Sequence, residues 1–242
     1  MAKKRHVIVG GGTAGLNAIT TIREYDKGES EVVLVAGEWP YSRMVLPYFL
    51  GRSISETHVF TATSPRMAEL GIQYASGDAN TVAPAGEMSP LVSRFIPRRA
   101  TALDTKNNKL TLDDGSVVDY DDLLIATGSS ATRPPVPGAD GDNIYNLWTL
   151  DDAKGVLSHI KDGMDVAMIG AGFISFTILN GVLSHGVNLH IIEIMPQVLP
   201  RMVDKDGATL VEDWLTQRGV KIHTNTAVES IEDIDGRKKL VM

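Results

Sequence analysis

The chain has 242 residues, 43% of them hydrophobic, a formal net charge of −7 and no cysteine. The length suggests one or two domains, the apolar share argues against disorder, and the negative balance disfavours nucleic acid as a partner. Without cysteine there is no structural disulfide, iron–sulfur ligation or redox dithiol within the chain; no apolar run approaches the ~18 residues of a membrane span and the start lacks a signal-peptide pattern, so a soluble cytoplasmic protein is expected.

The first element carries the strongest signal. A short apolar run, Val7-Ile8-Val9, breaks into Gly10, Gly11 and Gly12, with Gly15 three residues further and an apolar-periodic segment beyond. This is G-x-G-x-x-G between a predicted strand and a predicted helix, the context that makes the motif a dinucleotide signature. Gly10 permits the tight turn, Gly12 lets backbone approach a pyrophosphate, and Gly15 lets helix and strand pack closely. Thr13 and Ala14 lie between the glycines, at the approach to the helix N-terminus, where free N–H groups and the helix dipole favour phosphate. The predicted crossover helix runs from Leu16 to Tyr25 and stops at Lys27-Gly28; Glu31–Val35 is the second parallel strand.

An acidic residue is expected at the end of that strand to hold a ribose. Ala36 and Gly37 come first, and Glu38 is the candidate, against a plain surface glutamate. Residues 39–51, rich in aromatics and stiffened by Pro40 and Pro47, read either as a core-lining loop with a short helix or as a wall for a planar ring. A helix and strand are predicted over 63–74, and a Gly-, Ala-, Pro- and Ser-rich loop over 76–90.

From Arg99 the pattern turns to β. Ala100–Leu103 and Lys109–Leu112 are short strands, Asp113-Asp114-Gly115-Ser116 is a hairpin turn into Val117–Tyr120, and Leu123–Gly128 is a buried strand ending in Ala126-Thr127-Gly128. The proline-rich stretch 129–138 marks a change of domain. A helix over Asp151–Lys161 and a strand over Asp165–Ile169 lead to Gly170-Ala171-Gly172-Phe173-Ile174-Ser175. A helix through Leu183 and a strand over Asn188–Ile192 follow, ending in Glu193. This is a second βαβ nucleotide unit, with its acid about 20 residues past the glycine turn. An amphipathic helix over 204–218 and a strand over 220–222 complete the predicted elements. The expected architecture is α/β, with two Rossmann-like dinucleotide-binding domains of three-layer ββα type, 1–130 and 131–242.

These motifs resemble the flavin-dependent pyridine nucleotide-disulfide oxidoreductases. The resemblance runs through the first glycine motif, Tyr120-Asp121 to Ala126-Thr127-Gly128, and the second motif with Glu193. Tyr41-Ser42-Arg43 and Leu46-Pro47-Tyr48 are most similar to rubredoxin reductases, nitrite reductase flavin domains and NADH oxidases. The resemblance implies FAD on the first unit, held by Gly10, Gly12, Thr13, Ala14, Gly15, Glu38, Arg43 and Ala126-Thr127-Gly128. It implies a nicotinamide nucleotide on the second, held by Gly170, Gly172, Phe173, Ile174 and Glu193. NADH is favoured over NADPH, because no arginine directly follows Glu193 and Arg201 is some way off. Hydride passes to flavin N5, and electrons leave to an acceptor protein, a fused reductase module or a small acceptor.

The departures are informative. Met44 stands where cysteine-bearing relatives carry a redox cysteine, and Tyr48 where ferredoxin-reductase relatives carry a lysine. The third glycine of the second motif is Ser175, which is expected to weaken nucleotide binding, and the glutamate two residues on is Thr177. Relatives continue with further segments that complete the FAD site and an interface domain, so the chain is expected to be a fragment or a subunit completed elsewhere, with self-association favoured. The six histidines show no ligand spacing, so no metal site is expected, and the nine methionines read as core filler. No catalytic side chain is identified, because the ring systems carry the reaction. The alternative is a non-catalytic nucleotide-binding or scaffold chain with a degenerate second site.

Overall fold

A computed structural model describes residues 3–60 and 94–242. The helix and strand expected over 63–74 and the loop over 76–90 lie outside the described residues. By packing, the chain divides into two units, Met1–Ser42 with Ser55–Ser129, and Arg43–Ile54 with Ser130–Met242.

In the first unit, β1 (Arg5–Val9) leads through α1 (Thr13–Asp26) to β2 (Glu31–Val35). The two strands pair in parallel from Arg5↔Glu31 to Val9↔Val35. β-Branched residues dominate both, as a parallel strand covered on both faces requires. Alternation sorts their side chains. Val7, Val9, Val33 and Val35 pack with Ile96, Leu110, Leu112 and Val118, while Ile8 faces Gly15 of α1.

α1 begins at Thr13 rather than at the expected Leu16. Its N-cap, Gly12, is extended and offers no side-chain cap, so the sequence carries no cap signal to mark the start. At the far end Lys27 turns left-handed at φ 50° and its N–H returns to Arg23 O. Asp26 ties this corner to β2. It accepts from Gly28 N, Ser30 N and the Ser30 hydroxyl, with Arg23 Nη1 at 2.9 Å. Burial raises its pKa, but these donors outweigh burial and hold it down at about 2.

β3 (Arg94–Ile96) joins the outer side of β2, an element the sequence reading does not contain. β4 (Ala100–Asp104), β5 (Lys109–Leu112) and β6 (Val117–Asp119) form a separate antiparallel meander, and β7 (Asp122–Ile125) returns to pair with β1. The parallel sheet therefore has the order β3-β2-β1-β7. With α1 on one face and the meander on the other, this is the expected three-layer ββα arrangement. One expectation is corrected: β7 is not buried. Leu124 is 41% and Ile125 62% exposed. Among the described strands β7 pairs only with β1, so it is an edge strand, covered less than its apolar run implies.

In the second unit, α2 (Leu46–Leu50) packs on α4 (Phe173–Leu183). A Cβ at Gly181 would stand 2.7 Å from Pro47 O, so only glycine permits the approach. His185 Nε2–H donates to Leu50 O at 2.7 Å. α3 (Leu150–His159) opens with a capping box, in which the Thr149 hydroxyl accepts from Asp152 N and the Asp152 carboxylate accepts from Thr149 N.

β8 (Asp165–Ile169), β9 (Asn188–Ile192) and β10 (Lys221–His223) pair in parallel in the order β10-β9-β8, with α5 (Lys205–Thr216) between the last two in sequence. Leu189 and Ile191 enter the core with Leu179, Val182 and Leu215. His190 and His223 lie together, with parallel rings 5.4 Å apart and Nδ1 of the first 3.2 Å from Nε2 of the second. β11 (Ser230–Ile234) and β12 (Arg237–Val241) form an antiparallel hairpin through Asp235 (φ 52°) and Gly236 (φ 76°). Among the described residues no helix is long and apolar enough to cross a membrane.

Candidate functional site

Each unit places a glycine turn at the C-terminal end of its first strand, where ligands bind in open α/β sheets. In the first, the three motif glycines are needed for three different reasons. Gly10 has φ +115°, and a Cβ there would stand 2.2 Å from Ala126 O. A Cβ at Gly15 would stand 1.9 Å from Gly10 O, so helix and turn touch backbone to backbone. Gly12 is extended, and a Cβ there would meet no atom of the described residues within 4 Å. Among the described residues nothing requires glycine at position 12, and the turn is left open to backbone approach from outside.

Thr13 and Ala14 are exposed beside Gly12, at a helix start that no side chain caps. Gly10 N–H donates to Val35 O at 2.8 Å and Ala126 N–H to Val9 O at 2.7 Å. These bonds bring Ala126-Thr127-Gly128 against the turn, with Gly128 at φ +69°. Glu38 is exposed beyond β2, and its Oε2 accepts from the Tyr41 hydroxyl at 2.9 Å. Trp39, Pro40 and Tyr41 are buried. Arg43 belongs to the second unit, where its guanidinium lies 5.0 Å over the Trp148 ring.

The second turn repeats the plan with one substitution. Gly170 has φ +96°, and its N–H donates to Ile192 O at 2.7 Å, the counterpart of the Gly10–Val35 bond. Gly172 is extended, with no atom of the described residues within 4 Å of an added Cβ. Ser175 stands where the first turn has Gly15, and its Oγ lies 4.0 Å from the position of a Cβ on Gly170. This turn is wide enough to hold a serine. Phe173 and Ile174 are exposed at the start of α4, and Thr177 bonds back to Ile174 O.

Glu193 is 7% exposed. Its Oε2 accepts from Ala171 N at 2.7 Å and its Oε1 from Met195 N at 2.8 Å. The acid therefore fastens the glycine turn from behind, a role that motif spacing does not reveal. A carboxylate has about four acceptor positions, so two remain for a ligand hydroxyl pair. The equivalent place in the first unit is Ala36. Ala36 N bonds to Ile96 O as Glu193 N bonds to His223 O, each to the neighbouring strand.

Two strand–glycine turn–helix–strand units, each with an open extended glycine and an uncapped helix start, define a protein with two dinucleotide-binding units. The chain belongs to the pyridine nucleotide-disulphide oxidoreductase family, whose model matches residues 4–242. It is 29% identical over 235 residues to an NADH oxidase of Methanocaldococcus jannaschii, covering 94% of this chain and 48% of that protein. It is 28% identical over 232 residues to a rubredoxin-NAD(+) reductase of Ectopseudomonas oleovorans, covering 95% and 55%. Among solved structures, a ferredoxin reductase of Rhodopseudomonas palustris superposes with a TM-score of 0.81 at 22% identity, over 99% of this chain and 55% of that one. The chain thus spans about half the length of the relatives it matches.

Proposed function

We propose that this chain is the nucleotide-binding half of an NADH-dependent flavin oxidoreductase, with FAD on residues 1–130 and NAD on 131–242. The observation that carries the reading is the pair of glycines, Gly12 and Gly172, whose missing side chains leave space that no atom of the described residues uses. When bound, the nicotinamide and flavin rings supply the hydride chemistry. The chain's own residues bind and orient. The N–H groups of Thr13, Ala14 and Gly15 face one pyrophosphate and those of Phe173 and Ile174 the other.

Glu38 takes the ribose hydroxyls of the FAD adenosine, and Glu193 those of NAD. The buried Glu193 charge opposes a 2′-phosphate, which favours NADH over NADPH. The names of the relatives, an NADH oxidase and a rubredoxin-NAD(+) reductase, support this reading. They also support an electron-acceptor protein or small acceptor as the destination of the electrons. With no cysteine in the sequence, the electrons leave without a thiol relay in this chain.

The test is anaerobic titration with NADH of the purified chain reconstituted with FAD. The expected result is saturable flavin binding and bleaching of the flavin band, faster with NADH than with NADPH. A chain that binds NADH but takes up no flavin favours the nucleotide-binding scaffold instead.

A further inference from the structure

The first site has a cation at its outer end that the glycine motif does not account for. Past β3 the chain runs Pro97-Arg98-Arg99, and the Arg99 side chain is laid across Gly37. A Cβ added at Gly37 would stand 2.7 Å from Arg99 Cγ and 3.1 Å from its Nε. Gly37 has no left-handed backbone to justify a glycine. Its bareness makes room for the arginine stem.

The Arg99 backbone is fixed. Its N–H donates to Asp113 Oδ2 at 3.2 Å, and its carbonyl accepts from Asp113 N at 2.9 Å. The neighbouring Arg98 is engaged with Asp114 at 3.3 Å. Arg99 itself is exposed, and among the described residues no carboxylate pairs with it.

A dinucleotide with its pyrophosphate on the turn after β1 and its ribose at the end of β2 carries its base onward past β2. Gly37 and Arg99 lie there, one just past β2 and the other just past β3. A guanidinium is planar, weakly hydrated and stacks on aromatic faces, which an ammonium does not do in the same way. We propose that Arg99 caps the adenine of the dinucleotide held by the first unit, its guanidinium stacked on the purine face and Gly37 serving as the floor for its stem. This rests on the reading that the first unit binds FAD, and adds which residue recognises the base.

The experiment titrates the full chain with FAD by quenching of flavin fluorescence. ADP and inorganic pyrophosphate serve as competitors, in the parent and in Arg99→Ala, Arg99→Lys and Gly37→Ala. A stacked cation is worth an affinity factor of roughly 3 to 30. Arg99→Ala should weaken FAD and ADP by that factor and leave pyrophosphate within about twofold, since pyrophosphate has the charge but no base. Arg99→Lys should recover only part of the loss, and Gly37→Ala, whose methyl lifts the stem, should fall between. Arg99→Ala with FAD and ADP affinities within twofold of the parent overturns the inference. So does an equal loss for ADP and pyrophosphate, which would make Arg99 a phosphate contact. A parent chain that binds no FAD overturns the flavin reading itself, and this inference with it.

Discussion

Gly12 and Gly15 are three residues apart in one motif, yet the structure assigns them opposite sensitivities. At Gly15 an alanine methyl would lie 1.9 Å from Gly10 O, 3.1 Å from Gly10 C and 3.2 Å from Ile8 Cγ2. Two of these are backbone atoms that cannot step aside without moving β1 or α1. Helix propensity alone would make Gly15→Ala stabilising by roughly 0.5–1 kcal/mol. A 1.9 Å approach to a backbone oxygen puts the overpacking cost at the top of its usual range, about 3 kcal/mol, so the net expectation is a loss of about 2–2.5 kcal/mol. At about 2–4 °C per kcal/mol for a chain of this size, the melting temperature should fall by about 4–10 °C. The Cβ of Gly12→Val meets no atom of the described residues within 4 Å, and the change should lower stability by about 1 kcal/mol, through the weaker N-cap. On the proposed reading it should nevertheless abolish flavin binding, because the new side chain would occupy the space assigned to the pyrophosphate. Thermal melts followed by circular dichroism, paired with FAD titration, separate the two. A Gly15→Ala protein that melts at or above the parent would refute the packing argument. A Gly12→Val protein with undiminished flavin uptake would refute the ligand argument.

Glu193→Ala removes the acceptor of two backbone N–H groups and, on the proposed reading, the acceptor of the NAD ribose hydroxyls. NADH binding should weaken by roughly 1–3 kcal/mol and the preference over NADPH should narrow, as isothermal titration with both nucleotides can check. Asp26 has a folded pKa near 2 against an ordinary 3.8, so its contribution is complete above pH 3.8 and is lost as pH falls toward 2. Asp26→Asn should be less stable than the parent at neutral pH by about 1–3 kcal/mol, and the two melting curves should converge in strong acid. Burial, then Lys221 and His223, lowers the pKa of His190 below 6.5. Here the unfolded chain takes up the proton first, so acidification from above pH 7 through the ordinary histidine range should destabilise the protein. His190→Gln should flatten that part of the pH–stability profile; an unchanged profile would remove His190 as its cause.

Much of the organisation was legible because it rests on short-range rules. Val7 to Gly15 and Val166 to Gly172 each switch from a strand period to glycines and then to a helix, and both turns are where that switch puts them. What escaped the reading depended on partners distant in sequence. β3 is three residues long and is defined by its pairing with Val33–Val35. Leu123-Leu124-Ile125 reads as buried from its apolar run, but a strand's cover is decided by what lies beside it, and β7 is at an edge. The grip of Glu193 on Ala171 spans 22 positions and is set by the fold. The hairpin of β11 and β12 is a different case: Asp235-Gly236 is among the stronger local hairpin signals, and it was present in the sequence to be read.

The excursion of Arg43–Ile54 into the second unit bears on how the chain is assembled in time. Leu50 belongs to the second unit's core, and its carbonyl meets His185 from 135 positions away. During synthesis the early helix α2 emerges long before α4 exists to receive it. Closing so long a loop delays the contact without greatly changing its final worth. The second half therefore cannot mature as an autonomous product of its own continuous stretch of sequence. A fragment cut to begin at Ser130 would leave the niche of Leu50 vacant and the backbone at Gly181 without its neighbour. Supplying residues 43–54 as a separate peptide should restore it, so that an early stretch of the chain acts as a keystone for a later one.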